Sequence, residues 1–187
     1  DIEEKTIIDV FKMEELLKDP QFQELLKDPQ FQAILPYLPY IIGLSILQIV
    51  LWLLLANTIR TTLLLVQKEN RFMTPGQAFL MALPLFNIYW NFQVVRHLRD
   101  SLNNEFFDRK VPIDENPTQR EGSMFAWSYL VRNFPLPNVI IYIAMFSNFV
   151  AFFMYWRKIA EYKKLLKETA ALAEGEVVAD EAEIEEN

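Results

Sequence analysis

Leu83-Pro84-Leu85-Phe86-Asn87-Ile88-Tyr89-Trp90 is the stretch on which the reading of this chain turns. Apolar residues precede it from Phe79. A charged segment follows, Arg96-His97-Leu98-Arg99-Asp100. Apolar sequence, then a Pro, an Asn and an aromatic pair in one turn, then charge, is the profile of a helix leaving a bilayer through its interface. Pro84 has no backbone N–H and is expected to kink that helix. Asn87, Asn91 and Gln93 add polar groups near the exit, and Asn87 is placed to help satisfy the carbonyls that Pro84 frees. Beyond Val95 the same helix is expected to continue in water to about Asn104, with Arg96 and Asp100 paired at i and i+4.

Working outward, four stretches carry no charge: residues 33–59, 72–95, 122–131 and 133–156. A bilayer core about 30 Å thick takes roughly 20 helical residues, and three of the four are that long. This distribution, more than the 52% hydrophobic share, marks a membrane protein. The formal net charge is −7, concentrated at the chain ends, and every charge from Glu168 onward is negative. No basic patch suited to nucleic acid is present. With no Cys, disulfides and thiolate chemistry are excluded. The first residues, Asp1-Ile2-Glu3-Glu4-Lys5, lack the pattern of a cleaved signal, so the apolar segments are expected to stay as anchors.

Residues 1–36 form an amphipathic region with a short repeat, Leu16-Leu17-Lys18-Asp19-Pro20-Gln21-Phe22-Gln23 and Leu25-Leu26-Lys27-Asp28-Pro29-Gln30-Phe31-Gln32. Asp at the N-cap and Pro at the first helical position start a helix. A helix over residues 3–18 and two short ones after it are expected. Phe22, Leu25 and Leu26 would share one face, and Phe31, Ile34 and Leu35 another. The repeat resembles the Asp-Pro helical repeats of co-chaperones; amphipathic helices lying on a membrane or a partner are the plainer reading.

Residues 37–158 read as a membrane domain of four helices. The first runs from about Tyr40 to Asn57, behind an interfacial Tyr37 and Tyr40. The second starts at Thr74-Pro75 and carries the central stretch. The third, from Pro117 to Phe134, is capped by Asn116 and has Arg132 snorkelling to an interface. The last runs from Val139 to Trp156 and continues as a basic helix through Lys167. The end of residues 159–187, from Ala170, is acidic and poor in large apolar residues, the composition of a disordered tail. Lys and Arg concentrate on the side that would hold both termini, which predicts both in the cytoplasm.

The central stretch, with Arg99-Asp100-Ser101-Leu102-Asn103 after it, resembles a motif of small bacterial multi-helix membrane proteins. Those have a Pro-Phe-Phe-Asn-Leu-Tyr-Trp-like core and an Asp-Leu/Met-Asn signal some ten residues later. The likeness covers residues 82–103. It implies the bacterial inner membrane, an all-α fold, and Pro84, Asn87, Tyr89, Trp90, Arg96, Asp100 and Asn103 as the residues of a structural motif. It leaves function open.

No catalytic constellation emerges. His97 is the single histidine; a dyad with Ser101 at i+4 lacks an orienting acid. None of the charge-free stretches holds a carboxylate, so an intramembrane aspartyl site or a proton-coupled pump is not expected. Ser45, Gln48, Asn57, Ser147 and Asn148 could line a path, but more often such groups are hydrogen-bond glue between helices. The rings of Phe146, Phe149, Phe152, Phe153 and Tyr155 suit lipid or a partner helix. The expectation is a non-enzymatic, cofactor-free accessory or scaffold subunit of a membrane complex, partnered by other subunits and lipid and not by nucleic acid. A small channel or transporter is the alternative.

Overall fold

In the computed structural model the backbone of residues 19–186 is described, and all regular structure among these residues is helical, without a strand. The helix expected over residues 3–18 lies outside the described residues. The chain divides into two units, residues 1–48 and 49–187, at a point inside one long helix.

In the first unit the Asp-Pro steps start helices as the repeat implies. Helix α1 is Pro20–Lys27, and Asp19 Oδ1 accepts from the Gln21 N–H at 2.8 Å. Helix α2 is Pro29–Ile34, and Asp28 Oδ1 accepts from the Gln30 N–H at 2.7 Å. A 3-10 turn, Leu35–Tyr37, leads into α3, Leu38–Leu63. None of the described side chains from 19 to 48 is buried; those of Phe22 and Leu25 are outside the description.

The second unit takes in residues 49–63 of α3, then 3-10 turns Lys68–Asn70 and Pro75–Ala82, α4 (Phe86–Asp108), α5 (Gln119–Arg132) and α6 (Asn138–Glu186). Its core is built of Leu55, Ile59, Leu63, Met81, Leu98, Leu102, Phe106, Phe125, Ile159 and Leu166.

Three features differ from the sequence reading. The second expected helix is broken, not kinked. Pro84 holds Leu83 extended, with φ −79° and ψ 118°, as a residue before Pro prefers. Leu85 then takes φ 65°, and the Phe86 N–H donates to Pro84 O at 2.8 Å. That is the rare form of a three-residue turn. It reverses the chain: Phe72 N–H reaches Ser101 Oγ at 2.9 Å and Trp90 Nε1–H reaches Gln77 O at 3.0 Å. The third expected helix is shorter at its start. Asn116 does not cap it; Thr118, at φ 63°, precedes its first residue. At 1.5 Å per residue α5 is about 21 Å long. The last helix runs on to Glu186 where composition suggested disorder. Ala, Glu and Leu sustain a helix there, and no Pro interrupts it.

Two helical stretches, Pro29–Leu63 and Asn138–Leu172, are long and apolar enough to cross a membrane. Only 11% and 28% of their apolar windows are buried, far less than in the core helix of a water-soluble domain. Four crossings in alternating directions, the expected order, would set α3 and α6 antiparallel. They are parallel: Trp156 bonds Thr58, Lys163 bonds Thr61, and Arg109 bonds both Leu65 O and Leu166 O. The cause is the reversal at Leu85, which sends residues 72–95 back the way they came.

Candidate functional site

In the second unit each long segment has a charge-free stretch with one of its bounds after Ile59, after Val95, before Gly122 or after Trp156. The fold sets these four points side by side. Trp156 Nε1 donates to Thr58 Oγ1 at 2.9 Å. A Cβ on Gly122 would meet both Val95 methyls at 2.7 Å and the Tyr155 ring at 2.8 Å. Glycine is what lets α4, α5 and α6 come this close. The unit therefore has an uncharged end, Arg132 being its single exception, and a charged end, with one boundary plane between them.

The uncharged end wears its apolar side chains outside. Leu85 is 84% exposed, Phe146 71% and Tyr89 61%, with Trp127, Ile143 and Phe149 similarly open. Some of its polar groups turn inward, though Asn57 and Ser147 stay exposed. Buried Asn148 donates to Phe125 O at 3.1 Å and Ser128 Oγ at 3.2 Å and accepts from Arg132 Nη1 at 3.0 Å, so it ties α6 to α5. Arg132 stays against the bundle, its guanidinium 4.8 Å from the Tyr129 ring centre, instead of snorkelling. Asn87 and Asn91 are buried one turn apart on α4. Asn87 Oδ1 and both side-chain amide atoms of Asn91 have no partner among the described residues.

The charged end is built the ordinary way, apolar inside, around one buried carboxylate. Glu105 Oε2 accepts from the Gln67 N–H at 2.8 Å and Asn70 Nδ2 at 3.0 Å. Glu105 Oε1 accepts from Arg109 Nη2 at 2.7 Å. Arg109 in turn donates to Leu166 O, Thr169 Oγ1 and Leu65 O at 2.7, 2.8 and 3.0 Å. The two side chains clamp the ends of α3, α4 and α6. Neither had been singled out from the sequence; the available signal was their i, i+4 spacing, which reads as a surface pair. A nearby groove of about 420 Å³, lined by Asp114, Lys158, Glu161, Tyr162 and Lys164 among others, mixes both signs of charge and carries no convergent chemistry.

The motif residues take separate structural duties and do not converge. Pro84 makes the reversal. Tyr89 is exposed and accepts from Gln93 Nε2 at 2.7 Å. Trp90 fastens α4 to the 3-10 turn and stacks on Phe86 at 5.3 Å. Asp100 pairs with its neighbour Arg99 at 2.6 Å, not with Arg96, which is exposed. Asn103 Nδ2 donates to Glu115 O at 2.9 Å, holding the loop after α4. Ser101 Oγ donates to the His97 carbonyl at 2.7 Å, so its hydroxyl is not turned to the imidazole. Of the other polar candidates, Ser45 Oγ bonds Ile41 O in its own helix at 2.8 Å, and Asn57 and Ser147 are exposed. Among the described residues no group of three or more acidic or His side chains is placed to hold a metal.

The chain matches no protein-family model, no curated protein and no solved structure.

Proposed function

We infer that this chain is a multi-pass protein of a bacterial inner membrane, serving as a non-catalytic accessory or scaffold subunit of a larger membrane assembly. The observation that carries the membrane setting is the shared boundary plane. Four separate segments change from uncharged to charged at one level, and exposed aliphatic and aromatic surface is concentrated on the uncharged side, with only Leu64, Phe72, Phe107 and Leu172 open on the other. A bilayer meets that surface without cost, whereas water charges about 25 cal/mol for each Å² of it. The accessory role is supported by how the polar groups are used and by α6. Glu105, Arg109, Asn148, Trp90 and Asn103 all bond helix to helix or helix to loop. Leu166 is the last buried apolar residue described on α6, yet the helix continues to Glu186. That continuation carries only negative charge from Glu168, a docking arm for a basic surface.

The test is gentle solubilisation of native membranes followed by size separation. The chain is expected in a large particle together with other membrane subunits. A small monodisperse monomer or dimer would remove the accessory reading. A small channel or transporter is favoured by a different observation, the unpartnered buried amides of Asn87 and Asn91 inside the uncharged end. Solute flux through the purified protein in vesicles, lost in Asn91→Leu, would select it.

A further inference from the structure

We propose that residues 72–95 form a re-entrant hairpin, entering and leaving the bilayer on one face, so that α3 and α6 cross in the same direction and α5 with the turn after it makes the return. The inference rests on the membrane setting inferred above but not on the accessory role.

The direction of each segment in the second unit follows from contacts. Residues 58, 61 and 65 of the first segment meet 156, 163 and 166 of α6 in rising order, so α3 and α6 descend together toward the charged end. Phe92 packs on Trp127 and Arg99 bonds Gln119, so α5 ascends beside a descending α4. Asn148 meets Phe125 and Ser128, and Phe152 meets Phe125, so α5 and α6 form an antiparallel pair. Two parallel membrane helices need one return crossing between them. The candidates are residues 72–84 and the stretch from α5 to the turn Phe134-Pro135-Leu136-Pro137.

Depth decides between them. From Val95 at the boundary plane to Phe86 at the start of α4 is about 13 Å of helix. A bilayer core is about 30 Å thick, so the tip at Leu83–Leu85 stops near the middle. Counting from the Phe92–Trp127 contact, that tip is level with Arg132, whose partner Asn148 is still about 15 Å from the start of α6. The α5–α6 turn lies beyond it and makes the return. The tip itself suits lipid, with Leu83 and Leu85 exposed and uncharged. The backbone there is irregular, and the turn meets part of its bonding need itself: Phe86 N–H bonds Pro84 O at 2.8 Å and Asn87 N–H bonds Leu83 O at 3.0 Å.

Charge then sets the orientation. In this arrangement every Lys and Arg of the second unit except Arg132 falls on the side of the α6 continuation. The positive side faces the cytoplasm. The charged end and Glu186 are therefore cytoplasmic.

The chain has no Cys, so single-Cys variants can be labelled with a membrane-impermeant maleimide in intact cells and in inverted vesicles. Asn138→Cys is expected to react in cells. Lys68→Cys and Lys164→Cys are expected to react only in inverted vesicles. Leu85→Cys is expected to resist in both until detergent is added; Leu83→Cys replaces it if that variant does not accumulate. Lys68→Cys and Lys164→Cys reacting from opposite faces would overturn the proposal, as would Leu85→Cys reacting from the Asn138 side. Leu85→Cys reacting freely beside Lys68 would put the hairpin in water and overturn its membrane insertion. Release of the wild-type chain from membranes by alkaline carbonate would instead remove the membrane setting itself.

Discussion

The uncharged and charged ends of the second unit are made from the same helices and both bury apolar residues, yet their surfaces and buried polar groups differ. At the charged end Leu98, Leu102, Phe106, Ile159 and Leu166 are fully inside while Lys164 and Arg157 stand 79% open. At the uncharged end Leu85 and Phe146 are outside while Asn91 and Asn148 are inside. One helix, α4, does both within its length: Asn87 and Asn91 face inward above Val95, and Leu98 and Leu102 face inward below it. In the membrane setting proposed above, the difference teaches that burial is set by the surrounding solvent as much as by residue type. In hydrocarbon the outside costs an apolar residue nothing, and a polar residue gains by turning to its neighbours. The helices at the charged end are held by water exclusion and by one ionic clamp. At the uncharged end packing and a few inward hydrogen bonds hold them.

The comparison breaks most sharply at the clamp. Glu105→Ala would leave Arg109 and Asn70 without their shared acceptor while the guanidinium stays lodged against Leu65 and Leu166. Losing one partner of a buried pair costs about 3–5 kcal/mol. A large fall in melting temperature in mild detergent is expected. A comparable fall for Arg109→Ala is expected, since it leaves the fully buried carboxylate behind. If both variants melt like the wild type, the charged end does not depend on this pair.

Gly122 tests the boundary between the two regimes. Gly122→Ala puts a methyl within 2.8 Å of Val95 and Tyr155, and α5 must move from α4 and α6 to admit it. Overpacking of this kind costs about 1–3 kcal/mol. Gly76→Ala is the control, because no atom lies within 4 Å of its Cβ. Stability loss at 122 with none at 76 is the expected pattern in a thermal shift measurement; equal losses would show that close packing at 122 is not the cause.

Much of this contrast was legible in residue order. The charge-free stretches mark the uncharged end, the Asp-Pro steps mark helix starts, and Asn148 read as interhelical glue is what the fold displays. Other parts had no local signature. Pro84 announces a disturbance, but a kink and a reversal differ by the dihedral angles of Leu85, and leucine rarely takes φ 65°. The parallel run of α3 and α6 depends on which segments pair, which spacing along one helix does not encode. Glu105 and Arg109 sit in a charged run whose ordinary reading is a solvated face; only the arrival of Leu65, Asn70 and Leu166 from elsewhere makes them a buried clamp. The tail misread as disordered has the composition for both states, low in apolar residues and rich in helix formers.

The smallest effect is the one that bears most directly on solvent. Asn148 and Ser147 are neighbours on α6, but Asn148 is 4% exposed and bonded to α5, whereas Ser147 is open at the surface. In water, Ser147→Leu would add exposed apolar surface and favour association. In a bilayer it is neutral or slightly favourable, because the side chain meets lipid. Asn148→Leu removes bonds to Phe125 O, Ser128 Oγ and Arg132, and interhelical bonds of this type are worth about 0.6–2 kcal/mol. Comparing the two variants by thermal unfolding in lipid nanodiscs, Asn148→Leu is expected to lose that amount and Ser147→Leu to change by less than about 0.5 kcal/mol. The reverse order would mean that position 147 packs on protein and that the apolar face of α6 is covered by a partner helix instead of lipid. That outcome would convert this face from a lipid contact into the subunit's docking surface.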